Sequence, residues 1–192
     1  MASEPLPVAD RAVADRAVPD RLVDPVSEPD AYRALLLGLL GDDDPAVIGG
    51  ATPDRMRALA RAAGPCLRDR PAPAEWSVIE CFGHLLDSEL VTSARIRWIV
   101  AEDEPDIVGY DQDRWVDALD HRDDDPDEII DLFAALRASN LRLWARTTPD
   151  QHARIGVHRE RGPESYDLIR RLNAGHDRFH IAQAERALAA IG

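Results

Sequence analysis

His176 and His180 stand four residues apart in the run Asn173-Ala-Gly-His-Asp-Arg-Phe-His180. On a helix that spacing puts both imidazoles on one face, one turn apart. Two imidazoles so placed can share one divalent ion if a neighbouring helix supplies a third ligand. His84, in Glu80-Cys-Phe-Gly-His84, is the candidate for that third ligand. Three neutral imidazoles would leave the ion its full positive charge and at least one open position. A water there would have a lowered pKa and could act as nucleophile in hydrolysis. A small thiol could bind there as thiolate instead and attack an electrophile. A histidine pair at this spacing also occurs where the rings are merely buried and hydrogen-bonded, so the elements that carry the three residues must be examined.

Five helical patterns carry them. Residues 31–40 form a short apolar helix ended by Gly41 and the acidic turn Asp42-Asp-Asp-Pro45. Thr52 is expected to cap a second helix with Pro53 at its first position and Met56, Leu59, Ala60 and Ala63 on one face. Ser77-Val-Ile-Glu80 has the spacing of a capping box, from which a third helix runs to about Glu102. Asp125-Pro-Asp-Glu128 opens a fourth, with Ile129, Phe133, Leu136 and Leu143 as its apolar positions. The fifth is expected from near Pro163 to about Ala190, and Arg154-Ile-Gly-Val-His158 could be briefly extended.

On the last helix the seam through the pair reads Ile169, Asn173, His176, His180, Gln183, Ala187. On the third it reads Ser77, Cys81, His84, Ser88, Val91, Arg95, Trp98. Both seams are polar in the middle and flanked by core-type residues such as Leu172, Phe179, Phe82 and Leu85. Burying such groups costs free energy unless they find partners, and a shared ion would be one. The pattern predicts an all-α chain, most simply a four-helix bundle with an extra N-terminal helix. His121 reads as solvated, His152 follows a Pro-Asp turn, and His158 could cap or line something.

The chain has 192 residues, enough for one core, and a formal net charge of −13. That acidity disfavours nucleic acid and anionic membrane surfaces, leaving small molecules, metals and other proteins as partners. Its two cysteines, Cys66 and Cys81, are too few for a disulfide scaffold, and no secretory signal or membrane span is evident, which predicts a cytoplasmic protein. Cys81, one turn before His84, is read as a core residue before a ligand. Every basic residue is Arg. Residues 1–29 contain a five-residue repeat, Ala9-Asp-Arg-Ala-Val13, Ala14-Asp-Arg-Ala-Val18 and Pro19-Asp-Arg-Leu-Val23. This segment is expected to be a mobile tail or a loosely docked arm, and residues 30–192 the folded domain.

Pro71-Ala-Pro-Ala-Glu-Trp-Ser-Val-Ile-Glu-Cys-Phe-Gly-His-Leu-Leu-Asp-Ser-Glu89 resembles the second-helix signature of the DinB-like superfamily, and Ala174-Gly-His-Asp-Arg-Phe-His-Ile-Ala-Gln183 its fourth helix. The stretches Arg95 to Pro105 and Gly109 to Asp113 fit the same group, so the likeness covers roughly residues 52–190. The resemblance implies an up-down-down-up four-helix bundle, often a homodimer. It also implies a divalent metal on histidines matching His84, His176 and His180. Such sites accept zinc, nickel, iron, cobalt or manganese. Relatives include transferases and isomerases that use a low-molecular-weight thiol such as mycothiol or bacillithiol, and proteins described as metal-dependent hydrolases.

Several supporting residues are candidates. Gln183 could hydrogen-bond a ligand or substrate, or simply fill a polar helix face. Arg95 could pair a substrate carboxylate, or serve as ion-pair partner for the acidic stretch from Glu102 to Asp131. Tyr110, with Asp111 and Asp113, could form a pocket rim or a solvated loop. Glu80 is assigned to the capping box. The leading reading is a metal-dependent, thiol-using transferase or isomerase. Three alternatives stand beside it: a metal-dependent hydrolase, a non-catalytic metal or small-ligand binder, and a bundle with buried histidines only.

Overall fold

The computed structural model describes residues 17–191. Among these residues seven α-helices run in order: α1 Pro29–Leu40, α2 Pro45–Ala63, α3 Val78–Ala101, α4 Gln112–Leu119, α5 Pro126–Arg146, α6 Pro149–Ala153 and α7 Tyr166–Ile191. Three short strands, β1 Asp106–Ile107, β2 Ile155–His158 and β3 Gly162–Ser165, make one sheet in the order β1-β2-β3. β1 pairs parallel to β2, with Ile107 opposite His158; β2 pairs antiparallel to β3, with Val157 opposite Pro163.

α2, α3, α5 and α7 form the bundle, and side-chain pairs fix their directions. His84 meets His176 while Asn173 reaches Glu89, so α3 and α7 are antiparallel. His121, just before α5, bonds Asp87, and Asn140, late in α5, bonds Ser93, so α3 and α5 run parallel. Thr52 meets Asp177 and Arg55 meets Glu185, so α2 runs with α7. The arrangement is up-down-down-up, as expected. A parallel neighbour needs a long crossover, and the segment carrying β1 and α4 provides it.

The apolar interior falls in three clusters. Met56, Phe82, Leu85, Ile130, Phe133 and Ile181 fill one end, and Ile96, Ile99, Ile107, Tyr166 and Ile169 the other. Each fully buried side chain of this size contributes roughly 1.5–3 kcal/mol. The third cluster, Leu36, Leu39, Leu172 and Phe179, glues α1 to α7. A Cβ at Gly175 would collide with the Leu36 carbonyl, so the glycine lets the two backbones approach. Arg178 then donates to the Leu39 and Leu40 carbonyls at 2.6 and 2.9 Å, satisfying the end of α1.

The N-terminal expectation divides. Residues 1–16, with most of the repeat, lie outside the described residues. Val18 and Leu22 pack against the α1–α7 cluster, and Arg186 donates to the Pro19 carbonyl at 3.3 Å.

Two helix starts differ from expectation. α2 begins seven residues before Thr52, at Pro45, where the Asp44 side chain accepts the Ala46 amide at 2.8 Å. Pro53 is therefore inside the helix. It has no N–H for the Gly49 carbonyl, and Arg137 Nη1 donates to that carbonyl instead, at 3.0 Å. Gly49 makes room, since a Cβ there would lie 2.5 Å from Arg137 Nη1. Thr52 is no cap; it is buried and donates to Asp177 Oδ2 at 2.7 Å. α7 begins at Tyr166 because Pro163, Glu164 and Ser165 belong to β3, an edge strand where proline is tolerated.

Candidate metal centre

α3 starts where the capping box places it. Glu80 Oε2 accepts the Ser77 amide at 2.8 Å and the Ser77 hydroxyl at 2.6 Å. Arg70 clasps the same carboxylate, with Nε at 2.9 and 3.0 Å from its two oxygens. The residue before the cap, Trp76, is turned back over the first turns of the helix. Its ring lies 5.0 Å from that of His84 and stacks on His180 at 5.8 Å. The spacing alone did not single out Trp76, although the position before a cap commonly carries an apolar group folded this way.

One turn further along α3, His84 faces His176 and His180 of α7. The ring centroids lie 4.3–5.0 Å apart, and one ligand nitrogen from each lies within 4.8 Å of the other two. His84 Nε2 and His176 Nε2 are 3.0 Å apart. Two nitrogens bound to one tetrahedral ion at ~2.0–2.1 Å would stand roughly 3.3 Å apart, so the observed spacing needs little adjustment. All three rings are buried. Burial, with the charge each protonated ring would impose on the next, holds all three pKa values well below the ordinary histidine value. The imidazoles are neutral, the form that coordinates a cation.

Hydrogen bonds add a second test of fit. His180 Nδ1 donates to Gln183 Oε1 at 2.8 Å, which leaves Nε2 with a lone pair, buried and without a partner. An ion on Nε2 of each ring would satisfy the His180 Nε2 orphan and replace the bare contact between the His84 and His176 Nε2 atoms. The Nδ1 atoms of His84 and His176 are buried without partners, so of the three rings only His180 has a hydrogen-bonded Nδ1 among the described residues. Cys81 is fully buried, and burial pushes its thiol up, away from the thiolate a metal requires.

Around the centre, potential acids and bases are engaged. His121, expected to be solvated, is 5% exposed. Its Nε2 bonds Asp87 at 2.9 Å and its Nδ1 bonds Asp124 at 2.7 Å. These two carboxylates raise its pKa to about 9. Beyond the histidines, Arg137 bridges two carboxylates, with Nη2 2.8 Å from Glu89 Oε2 and Nη1 2.5 Å from Asp177 Oδ2. Burial alone would raise the Glu89 carboxyl, but the Arg137 charge holds it below the ordinary value. Asn140 and Asn173 complete the network, donating to Glu89 at 2.7 and 2.9 Å.

Of the residues expected to support the site, Gln183 touches a histidine of the triad. Arg95 is not paired with the acidic stretch; its Nη2 donates to the Val108 carbonyl at 2.7 Å. Tyr110 is half-buried, with its ring 4.4 Å from that of Trp115 in α4. Asp111 caps α4 by accepting the Arg114 amide at 3.0 Å.

The DinB superfamily model matches residues 50–184, which takes in most of the bundle and all three histidines. The chain belongs to the DinB superfamily. Two relatives share 29% identity with it over 108 and 112 residues: the "Putative metal-dependent hydrolase" OB0782 of Oceanobacillus iheyensis and the protein of the same description, YfiT, of Bacillus subtilis. Each match covers 56% of this chain and 62% or 61% of the relative, so it spans less than two thirds of their length. The solved structure of Bacillus subtilis YfiT superposes with a TM-score of 0.71 over 85% of this chain and 89% of that one. At 19% identity this shows a shared fold, described for YfiT as an unusual four-helix bundle topology. Among the described residues of this DinB protein, no helix is long and apolar enough to cross a membrane.

Proposed function

We propose that this chain is a divalent-metal enzyme in which His84, His176 and His180 hold the ion and a small thiol is the nucleophile, giving S-transfer or thiol-assisted isomerisation. The observation that carries it is the convergence of three buried, neutral imidazoles where the neighbouring acid–base groups are already committed. A divalent ion held by neutral ligands keeps its charge and lowers the pKa of a water or thiol that meets it. The protein's own residues prepare that position. Gln183 holds His180 in the tautomer with Nε2 free. Trp76 covers one side of His84 and His180.

Hydrolysis asks for a general base beside the water. Here Glu80 is held by Arg70, His121 by two carboxylates, and Glu89 and Asp177 by Arg137. A thiol is acidic enough to ionise at a metal without such a base. The second reading is a metal-dependent hydrolase acting on a small molecule, favoured by what the two relatives are named.

Metal content of natively purified protein, beside His176→Ala, tests the site. We expect near-stoichiometric metal that the variant loses, and turnover of small electrophiles that requires added thiol. Ester or amide cleavage without thiol would replace the first reading by the second. Absence of metal, with no gain in thermal stability from zinc, nickel or manganese, would sink both.

A further inference from the structure

In a chain of net charge −13, the place where β2 and β3 meet α1 and α3 is cationic, and it lies on the His176 side of the three-histidine centre. Arg161, between β2 and β3, is near enough to His176 for its charge to bear on that ring. The same guanidinium acts on Arg95, three turns along α3 from His84. Arg33, from α1, donates to the Arg161 carbonyl. Among the described residues, the buried carboxylate set against these three cations is Glu164. It accepts Arg161 Nε at 2.7 Å and Nη2 at 3.0 Å and lies 3.5 Å from Arg33 Nη2. Glu160 is at the rim, 40% exposed.

Arg95 and His158 are left over. Arg95 has no carboxylate partner among the described residues, and its Nε is buried and unpartnered. Burial and the Arg161 charge both work against its cation. The His158 side chain is fully buried. Its Nδ1 accepts the Glu160 amide at 3.3 Å, which puts the proton of the neutral ring on Nε2, and that donor has no partner. Cations crowded together beside an unused buried donor are unfavourable until an anion joins them.

We propose that Arg95, Arg161 and the Nε2–H of His158 receive a carboxylate of the small molecule that reacts at the three-histidine centre. The reaction part rests on the metal-enzyme reading above; the binding part does not. Eleven residues separate His84 from Arg95, a rise of about 16 Å at ~1.5 Å each. Both side chains lean toward the N-terminus, the longer Arg95 further than His84, so the ligand needs to bridge somewhat less than that rise.

The test uses the full chain loaded with cobalt(II). The probes are straight-chain ω-mercaptocarboxylates from mercaptoacetate to 6-mercaptohexanoate, the matching mercaptoalcohols, and thiol-free succinate and glutarate. Calorimetry reads binding, and cobalt–sulfur charge-transfer absorption reads thiolate at the centre. Acids of the fitting length should bind roughly ten- to a hundredfold more tightly than their alcohols, the scale of charge-assisted hydrogen bonds. Arg95→Gln should erase that advantage with metal content unchanged and thermal unfolding little changed, because it leaves no carboxylate unpaired and the Val108 carbonyl it releases belongs to an exposed residue. A charge-transfer band with the mercapto acids assigns the carboxylate to the thiol. Arg95-dependent succinate or glutarate binding, with no band from any mercapto acid, assigns it to the electrophile. Equal binding of acids and alcohols, or a preference that survives in Arg95→Gln, overturns the proposal. If the chain takes up no cobalt, the metal reading falls, and succinate binding to wild type against Arg95→Gln still decides the carboxylate site.

Discussion

Replacing Gln183 with Leu removes a single interaction, the bond from His180 Nδ1 to Gln183 Oε1 at 2.8 Å. Gln183 is only partly buried, so the change opens no core cavity. His180 is 1% exposed, and its Nδ1–H would then lack an acceptor, a loss of about 1–3 kcal/mol. Part of that loss is common to the metal-free and metal-loaded states, where it affects stability alone. The rest is felt when a cation draws electron density from the ring and makes Nδ1–H a stronger donor. Removing partners of this kind typically weakens metal binding 10- to 100-fold, or about 1.4–2.7 kcal/mol. Competition with a chromophoric chelator, run with zinc on wild type, Gln183→Leu and Gln183→Glu, measures this. The Leu variant should fall in that range, the Glu variant should match or exceed wild type, and the unfolding midpoint of the Leu variant without metal should fall by the shared part of the loss alone. A Leu variant within threefold of wild type would refute the argument that Gln183 prepares the ligand.

Two further perturbations probe the surroundings. Arg137→Met leaves Glu89 and Asp177 buried without their shared cation, and should cost about 3–5 kcal/mol in urea unfolding; a cost under about 1 kcal/mol would show the network to be dispensable. His121 has its folded pKa raised to about 9 by Asp87 and Asp124, above the ~6.5 of an unfolded histidine. Its stabilisation is therefore complete below about pH 6.5 and is lost as pH rises through about 9. Asp124 is 43% exposed and its share is screened, so the contribution is about 1–2 kcal/mol. The stability gap between wild type and His121→Asn should narrow between pH 6.5 and 9.5, and a constant gap would contradict the assignment.

The parts of this molecule that are legible in its sequence are those whose partners are close along the chain. The Ser77–Glu80 box and the Asp125 cap are closed within three residues, and the structure contains both. The His176–His180 face needs only helical periodicity. His84 joins it because the polar seam of each helix sits within an apolar stripe, and packing those stripes brings the seams together. Pro53 is the counter-example. After Thr52 it has every local mark of a helix start, and the reason it is not one, the Arg137 guanidinium on the Gly49 carbonyl, comes from 88 residues away. His121 misleads in the same manner: an acidic run surrounds it in sequence, while Asp87, 34 residues back, draws it inside.

The long-range polar bonds also bear on how the centre is built. Three interchangeable apolar stripes would let α3 rotate or slide against α7 at small cost. Glu89 lies five residues after His84, and Asn173 and Asp177 flank His176. By gripping Glu89 and Asp177 together, Arg137 from α5 ties one rotation of α3 to one rotation of α7, and that is the rotation at which the three imidazoles meet. Buried charges of this kind are a weak source of stability and a plausible source of register. On this view the network and the histidines are one construction, and Pro53 belongs to it, since it frees the Gly49 carbonyl that Arg137 Nη1 takes beside the two carboxylates.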